Sequence, residues 1–153
     1  LSGGRWYATR LHLETWGGED WTVVQRFEGA GYGAWFDFRL FDAEIPSGTM
    51  WRVRNGDSLP ERWGVRELEY HTSPDCVDEI LDFQPLAAGE VVGFEVAQAY
   101  DHDTVSEWWA PCASCPAYST WLGARMHRER DVRCIRMVQS VSSGQHTTTA
   151  DVQ

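Results

Sequence analysis

The chain has 153 residues, and its 23 acidic side chains outnumber the 13 basic ones to give a formal net charge of −10. Such a balance argues against nucleic acid and anionic membrane surfaces as partners, because both are bound through basic patches. No stretch approaches the roughly 20 apolar residues of a membrane span, so direct membrane insertion is not expected. The length suits one compact domain over residues 1–153.

Alternating polar and apolar residues predict strands along most of the chain. The first two, over 9–14 and 21–27, flank a Gly-rich turn at 16–20 and predict a β-hairpin. Further strands are expected over 34–40, 50–55, 63–70, 91–96, 121–126 and 132–138, and residues 76–81 form either a turn of helix or a loop. Short strands with one polar face predict an all-β, antiparallel sandwich. The polar tail over 141–153 is expected to be flexible.

Four cysteines, Cys76, Cys112, Cys115 and Cys134, form an even set that favours disulfides. Disulfides imply an oxidising compartment, either extracellular or the lumen of an organelle. Three pairings are possible and the spacing does not choose among them. A zinc site of four thiolates and a set of free thiols are the alternatives, and a redox role for Cys112 and Cys115 is disfavoured because prolines flank them and no helix follows. A start without Met is expected of a mature, cleaved product or of an artificially trimmed chain.

Four segments resemble parts of the discoidin domain, which is the C-type domain of coagulation factors, and of related sugar-binding modules attached to glycosidases. AYDHDT at 99–104, followed by Trp108, is similar to the family's Ala-aromatic-Asp-Gly-Asp loop. WLG at 121–123 with VRCIR at 132–136 resembles its strand and return strand. LHLETW at 11–16 with WTVV at 21–24 is similar to its hairpin. WRVR at 51–54 with VRELEY at 65–70 is similar to its closing strands.

The order of these segments differs from that of the family, where the Asp loop comes first and the Glu-bearing strand last. Residues 1–75 resemble the closing half and residues 76–153 the opening half. The resemblance therefore implies a jelly-roll β-sandwich of the galactose-binding-like kind in circularly permuted order. A slice cut from a tandem array, similar to the tandem modules of single-celled algae, gives the same order.

An acidic loop is the sharpest candidate site. Asp101, Asp103 and Thr104 offer oxygen ligands on a short turn, and calcium prefers oxygen ligands. In the related sugar-binding modules a structural calcium lies between this loop and a Glu of the closing strand, and the resemblance gives that role to Glu67. His102 stands where the family has Gly, which bears on the tight turn. The alternative is a plain acidic turn in which each Asp caps its own backbone.

Glu67 and Glu69 are expected on one face of the same strand, two residues apart. Like charges at this spacing repel unless a cation lies between them, and Arg52 or Arg54 on a neighbouring strand is expected to supply it. Paired carboxylates are common in so acidic a chain, so this pair does not by itself indicate glycoside hydrolysis.

Aromatic side chains are the candidates for ligand contact. Most of the nine tryptophans are expected in the core, and Trp63 and Tyr118 are predicted to expose rings that stack on a ligand. No nucleophile elbow, phosphate-binding Gly loop or His-x-x-x-His spacing is visible, so catalysis is not expected.

Two functions follow as expectations. The first is a non-catalytic binding or assembly module that recognises a glycan or a protein surface through loops at one end of the sandwich. The alternative is a soluble accessory structural subunit of a larger assembly, such as an extrinsic subunit of an algal photosynthetic membrane complex. Exposed aromatic residues on the loops favour the first function, and a broad apolar patch on a sheet face favours the second.

Overall fold

Two antiparallel sheets make up the computed structural model, which describes residues 5–42 and 44–141. The first sheet has the strand order β2-β1-β4-β8-β6 and the second has the order β3-β9-β5-β7. The strands are β1 Arg10–Trp16, β2 Trp21–Glu28, β3 Trp35–Arg39, β4 Gly48–Asn55, β5 Gly64–His71, β6 Phe83–Ala87, β7 Trp108–Trp109, β8 Trp121–Arg130 and β9 Cys134–Gln139. A 3₁₀ helix spans Val96–Ala99. The predicted all-β, antiparallel sandwich and the β1–β2 hairpin are confirmed.

The two sheets share one apolar core in which three indoles are the largest buried side chains. Trp51, Trp63 and Trp108 have no exposed surface, and the rings of Trp63 and Trp108 meet edge to face with centroids 5.6 Å apart. A buried indole needs an acceptor for its N–H group. The Trp63 Nε1–H donates to Oε1 of Gln139 at 2.6 Å. The prediction that Trp63 exposes its ring to a ligand is therefore wrong, because this side chain belongs to the core.

Gln139 connects the N-terminal segment to the core. Its Nε2 group donates to the carbonyl oxygens of Ala8 and Gly31, and its Oε1 atom also accepts from the Ala8 amide. A buried amide side chain is tolerated in an apolar core when its hydrogen bonds are made in this way. Ala8, two residues before β1, is thereby fixed to the sandwich.

Three sequence-based assignments differ from the structure, and one of them is the short strand β7, which was not predicted. β6 was not predicted, because Pro85 interrupts the strand pattern. β6 lies at the edge of its sheet, where the N–H group that proline lacks is not needed for the ladder. The predicted strand over 91–96 is wrong, because the Phe94 amide donates to the Val91 carbonyl and closes a tight turn in which Gly93 has a φ of 90°. Residues 76–81 are not helical.

All four cysteines are paired, as Cys76–Cys134 and Cys112–Cys115, and these bonds indicate an oxidising environment. The predicted disulfides are confirmed, whereas a four-thiolate zinc site and free thiols are not. Cys76–Cys134 joins residues 58 apart in sequence, and Cys112–Cys115 closes a loop at a separation of 3.

In the described part of the chain no helix has the length and hydropathy needed to cross a membrane.

Removing the two disulfides is expected to have unequal effects. Chain entropy predicts a loss of about 4 kcal/mol for the long loop closed by Cys76–Cys134 and about 2 kcal/mol for the short loop closed by Cys112–Cys115. Urea denaturation of a Cys76→Ala, Cys134→Ala double variant and a Cys112→Ala, Cys115→Ala double variant measures both. Equal losses would contradict the dependence on loop length.

Candidate functional site

The acidic loop forms a tight turn that is stabilised by its own carboxylates. Oδ1 of Asp101 accepts from the Asp103 amide at 3.0 Å, and Oδ1 of Asp103 accepts from the Val105 amide at 2.9 Å. His102 has a φ of 60°, the left-handed conformation in which His is more frequent than most residues. The tight turn is thus formed with His102 at its centre, and Thr104 lies exposed on the same turn.

Glu67 of β5 contacts this loop through the backbone of His102. The His102 amide donates to Oε2 of Glu67 at 3.1 Å, so the predicted loop and the predicted strand residue do lie together. Glu67 is only 1% exposed, and its Oε1 atom has no hydrogen-bond partner among the described residues. Both loop aspartates accept hydrogen bonds from backbone amides of the same turn, as a plain acidic turn would. Calcium binding by Glu67, Asp101, Asp103 and Thr104 stays a prediction.

A cleft of about 110 Å³ opens beside Glu67. Its polar side is lined by Glu67, Glu79 and His102, and Leu81, Phe83 and Pro85 line its apolar side. The His102 Nε2 atom lies 2.8 Å from Oε2 of Glu79. We refer to the side chains of Glu67, Glu69, Glu79 and His102 as the acidic cluster.

The charge that faces Glu69 comes from β9, and not from the strand of Arg52 and Arg54 that was expected to supply it. The Arg136 guanidinium lies 3.6 Å from Oε1 of Glu69, and the Nε2 atom of His71 lies 2.9 Å from the same oxygen. Arg52 and Arg54 pair instead with Glu14 in the other sheet, so the prediction that one of them sits beside Glu69 is wrong. The register of β9, which places Arg136 opposite Glu69, could not be read from the sequence.

Burial raises the pKa of the Glu67 carboxyl to about 8, and the nearby charges of Asp101 and Glu69 act in the same direction. The hydrogen bond from the His102 amide opposes this shift. The hydrogen bond to Glu79 raises the pKa of the His102 imidazole above its ordinary value. At neutral pH Glu67 therefore favours its neutral form, in contrast to an ordinary carboxylate.

Replacing Glu67 by Gln is expected to change how stability depends on pH. A carboxyl whose pKa is higher in the folded protein contributes stability that is complete below its ordinary pKa and is lost as the pH rises towards about 8. Gln cannot ionise, so Glu67→Gln should gain stability relative to the wild type between pH 5 and pH 9.

Urea denaturation across this pH range, with a chelator present, measures the difference. Glu69→Gln is the matched control on the same strand, and it should be destabilising at neutral pH because it loses its contacts with Arg136 and His71. A Glu67→Gln difference that is constant from pH 5 to pH 9 would rule out the raised pKa.

A second cluster lies on the outer face of the five-stranded sheet. Glu14 has no exposed surface, and its two oxygens accept hydrogen bonds from Nε of Arg52 and Nη2 of Arg54, both at 2.7 Å. The pairing of β1 with β4 places Glu14 opposite Arg52. Since Trp51 and Val53 point into the core, Arg52 and Arg54 project from the other side of the same strand.

Two half-buried indoles lie close to Arg52, and a third, Trp16, packs against one of them. The Arg52 guanidinium lies 4.1 Å from the ring centroid of Trp21 and 5.4 Å from that of Trp121. The rings of Trp16 and Trp21 have centroids 5.5 Å apart, and those of Trp21 and Trp121 are 6.0 Å apart. Gly123 leaves room for this packing, because a Cβ atom there would lie 3.1 Å from the Trp121 ring.

Tyr118 extends the cluster from a loop. Its side chain is 50% exposed, and its ring centroid lies 5.0 Å from that of His12 and 5.4 Å from the Arg54 guanidinium. Tyr118 has a φ of 65°, a conformation that bulky residues rarely adopt and that is found more often at functional sites. The prediction of an exposed ring at Tyr118 is confirmed, and its role in binding stays a prediction. We call Trp16, Trp21, Trp121, Tyr118, Arg52 and Arg54 the aromatic face.

Sequence reasoning missed most of the aromatic face. Trp16 and Trp21 were predicted only as parts of a hairpin, and Trp121 only as the start of a strand. The available signal was period-2 alternation, which puts His12, Glu14 and Trp16 on the same side of β1. The pairing of β4 with β8, which places Arg54 opposite Trp121, joins residues 67 positions apart and was not predictable.

Removing the Glu14 carboxylate is expected to destabilise the protein by about 3 kcal/mol, because it leaves two guanidinium groups without their buried partner. The comparison of Glu14→Ala with Glu28→Ala by urea denaturation checks this value. Glu28 pairs with Arg10 at 4.0 Å on the exposed part of the same hairpin, and its loss should amount to less than about 0.5 kcal/mol. Similar losses in the two variants would contradict the structural role of Glu14.

No protein-family model, no curated protein and no solved structure matches the chain.

Proposed function

We propose that the chain is a non-catalytic binding module that recognises a glycan through the aromatic face. The observation that carries this proposal is the row of three half-buried indoles, Trp16, Trp21 and Trp121, on the outer side of the five-stranded sheet. Tyr118, half exposed on a loop, lies beside Arg54 of the same face.

The chemistry of a sugar fits this arrangement. One side of a pyranose ring presents C–H groups that pack on the electron-rich face of an indole, and its hydroxyl groups need hydrogen-bonding partners. Arg54 is part-exposed and lies beside Tyr118, so donors are present next to the rings. Glycan recognition requires both kinds of group on one surface.

The aromatic face is also held in place before any ligand arrives. Arg52 is fixed by two bonds to Glu14 and lies against Trp21, which restricts both side chains. Rings that are already ordered lose little conformational entropy on binding, and this favours affinity.

The alternative function, an accessory subunit of a larger assembly, predicts a broad apolar patch on a sheet face. The outer side of the five-stranded sheet instead combines rings with arginines and the buried Glu14. The most exposed large apolar side chains, Phe41, Val92 and Val105, lie on different loops. This distribution favours the glycan-binding module.

The finer fold assignment is part of the same proposal. A jelly-roll sandwich in permuted, discoidin-like order is supported by two antiparallel sheets and by the contact between Glu67 and the Asp101–Asp103 turn. The two disulfides support a site of action outside a reducing cytoplasm, either extracellular or in an organelle lumen.

Truncating Trp121 is expected to reduce glycan binding by tenfold or more, because the ring supplies stacking area above Gly123. A printed array of neutral and acidic oligosaccharides identifies the glycans that bind, and titration calorimetry with the best of them measures Trp121→Ala. Trp35→Ala is the matched control. Trp35 is 38% exposed and has Arg136 4.5 Å from its ring, but it lies on β3 of the other sheet.

Retention of binding by Trp35→Ala with loss in Trp121→Ala would support the proposal. Equal losses in both variants, or an array on which the wild type binds no glycan, would overturn it. Near-ultraviolet circular dichroism of each variant verifies that the sandwich is folded.

A further inference from the structure

Three ligand-type side chains converge beside the cleft, and they come from three separate segments of the chain. Glu69 lies on β5, Glu79 lies in the loop that follows β5, and His102 lies in the tight turn after the 3₁₀ helix. One ligand atom from each of these side chains lies within 4.8 Å of the other two. Among the described residues, no other group of His, Cys, Asp and Glu meets this criterion.

A second observation at the same place is the unpartnered oxygen of Glu67. Glu67 is 1% exposed, lines the cleft together with Glu79 and His102, and leaves Oε1 without a hydrogen-bond partner among the described residues. A buried carboxyl oxygen without a partner is unfavourable, because the water that it loses is not replaced. A cation in the cleft would supply the missing interaction.

The loop that carries Glu79 is held firmly against β5. The Ile80 amide donates to the Tyr70 carbonyl, and the Thr72 amide donates to the Asp78 carbonyl. The disulfide Cys76–Cys134 fastens this loop to β9. Metal sites need ligands that are positioned in advance by rigid elements, and this loop has three such restraints.

Glu69 has the outer partners that are common around metal ligands. His71 lies 2.9 Å and Arg136 3.6 Å from its Oε1 atom, and both side chains orient the carboxylate. Side chains that hydrogen-bond to a metal ligand and fix its orientation are a regular part of metal sites.

We propose that Glu69, Glu79 and His102 bind a divalent transition-metal ion of the zinc class, with Glu67 beside it. An imidazole nitrogen together with carboxylate oxygens suits zinc, whereas calcium prefers oxygen ligands throughout. The ion would link β5, the Glu79 loop and the His102 turn. This ligand set is different from the calcium set predicted for Glu67, Asp101, Asp103 and Thr104, and it depends on the His that stands in place of Gly.

Binding requires the three ligand atoms, which lie within 4.8 Å of one another, to adjust their spacing. Two ligands of a tetrahedral zinc ion are about 3.3 Å apart when each metal–ligand bond is about 2.0 Å long. His102 Nε2 and Glu79 Oε2 are 2.8 Å apart in a hydrogen bond, so they must separate by about half an ångström. His102 is exposed on its turn and is able to make this movement.

Titration calorimetry with zinc chloride and separately with calcium chloride, on the chelator-treated full chain, tests the proposal. One zinc ion per chain is expected, with a rise in melting temperature on binding. His102→Gly and Glu79→Gln should each weaken zinc binding tenfold or more. Gly suits the φ of 60° at position 102, so this variant is expected to fold.

His127→Asn is the matched control. His127 is exposed and lies 2.9 Å from Asp82, so it forms an exposed His–carboxylate pair that is outside the acidic cluster. Unchanged zinc binding in His127→Asn, with losses in the two cluster variants, would support the site.

Three results would overturn the proposal. The first is no zinc binding by the wild type. The second is an equal loss in His127→Asn and His102→Gly, which would indicate scattered binding at surface histidines. The third is tight calcium binding that persists in His102→Gly without any zinc binding, which would assign the cation to the oxygen ligands of the Asp101–Asp103 turn. Near-ultraviolet circular dichroism of every variant separates loss of binding from loss of fold.

Discussion

The carboxylate of Glu14 has no exposure to solvent, and it accepts hydrogen bonds from both Arg52 and Arg54. A buried charge of this kind is tolerated only when it is paired and fully hydrogen-bonded. The pairing fixes Arg52, and Arg52 in turn lies against the indole of Trp21 and close to Trp121. Trp21, Trp121 and Tyr118 therefore depend on this carboxylate through one arginine each, and Trp16 depends on it through Arg52 and Trp21.

The aromatic face and the acidic cluster belong to different sheets and have different chemistry. The aromatic face offers ring surface and guanidinium groups, although the chain as a whole carries a net charge of −10. The acidic cluster offers carboxylates and one imidazole around a small cleft, and the disulfide Cys76–Cys134 restrains the loop beside it. We infer a division of roles in which the first surface binds a glycan and the second binds a metal ion that stabilises the loops.

Local patterns in the sequence predicted the fold class well. Period-2 alternation located most strands, and the Gly-rich turn at 16–20 located the first hairpin. β6 was missed because Pro85 conceals an edge strand, and Trp63 was misplaced because composition does not tell a buried indole from an exposed one. The candidate sites were harder to predict, since Arg136 and Glu69 come together only through strand pairing between distant residues. His102 was noted in the sequence as a departure from a family pattern, but its closeness to Glu79 required the structure.

The indole N–H signals in a nitrogen–proton correlation spectrum test the glycan-binding account most directly. The nine tryptophans each give one such signal, and assignment by single Trp→Phe variants identifies them. On addition of the best array glycan, the signals of Trp16, Trp21 and Trp121 are predicted to shift, while those of the buried Trp51 and Trp63 stay in place. Shifts confined to Trp6 and Trp109, which pack against each other away from this sheet face, would contradict the account and move the binding site to the loops.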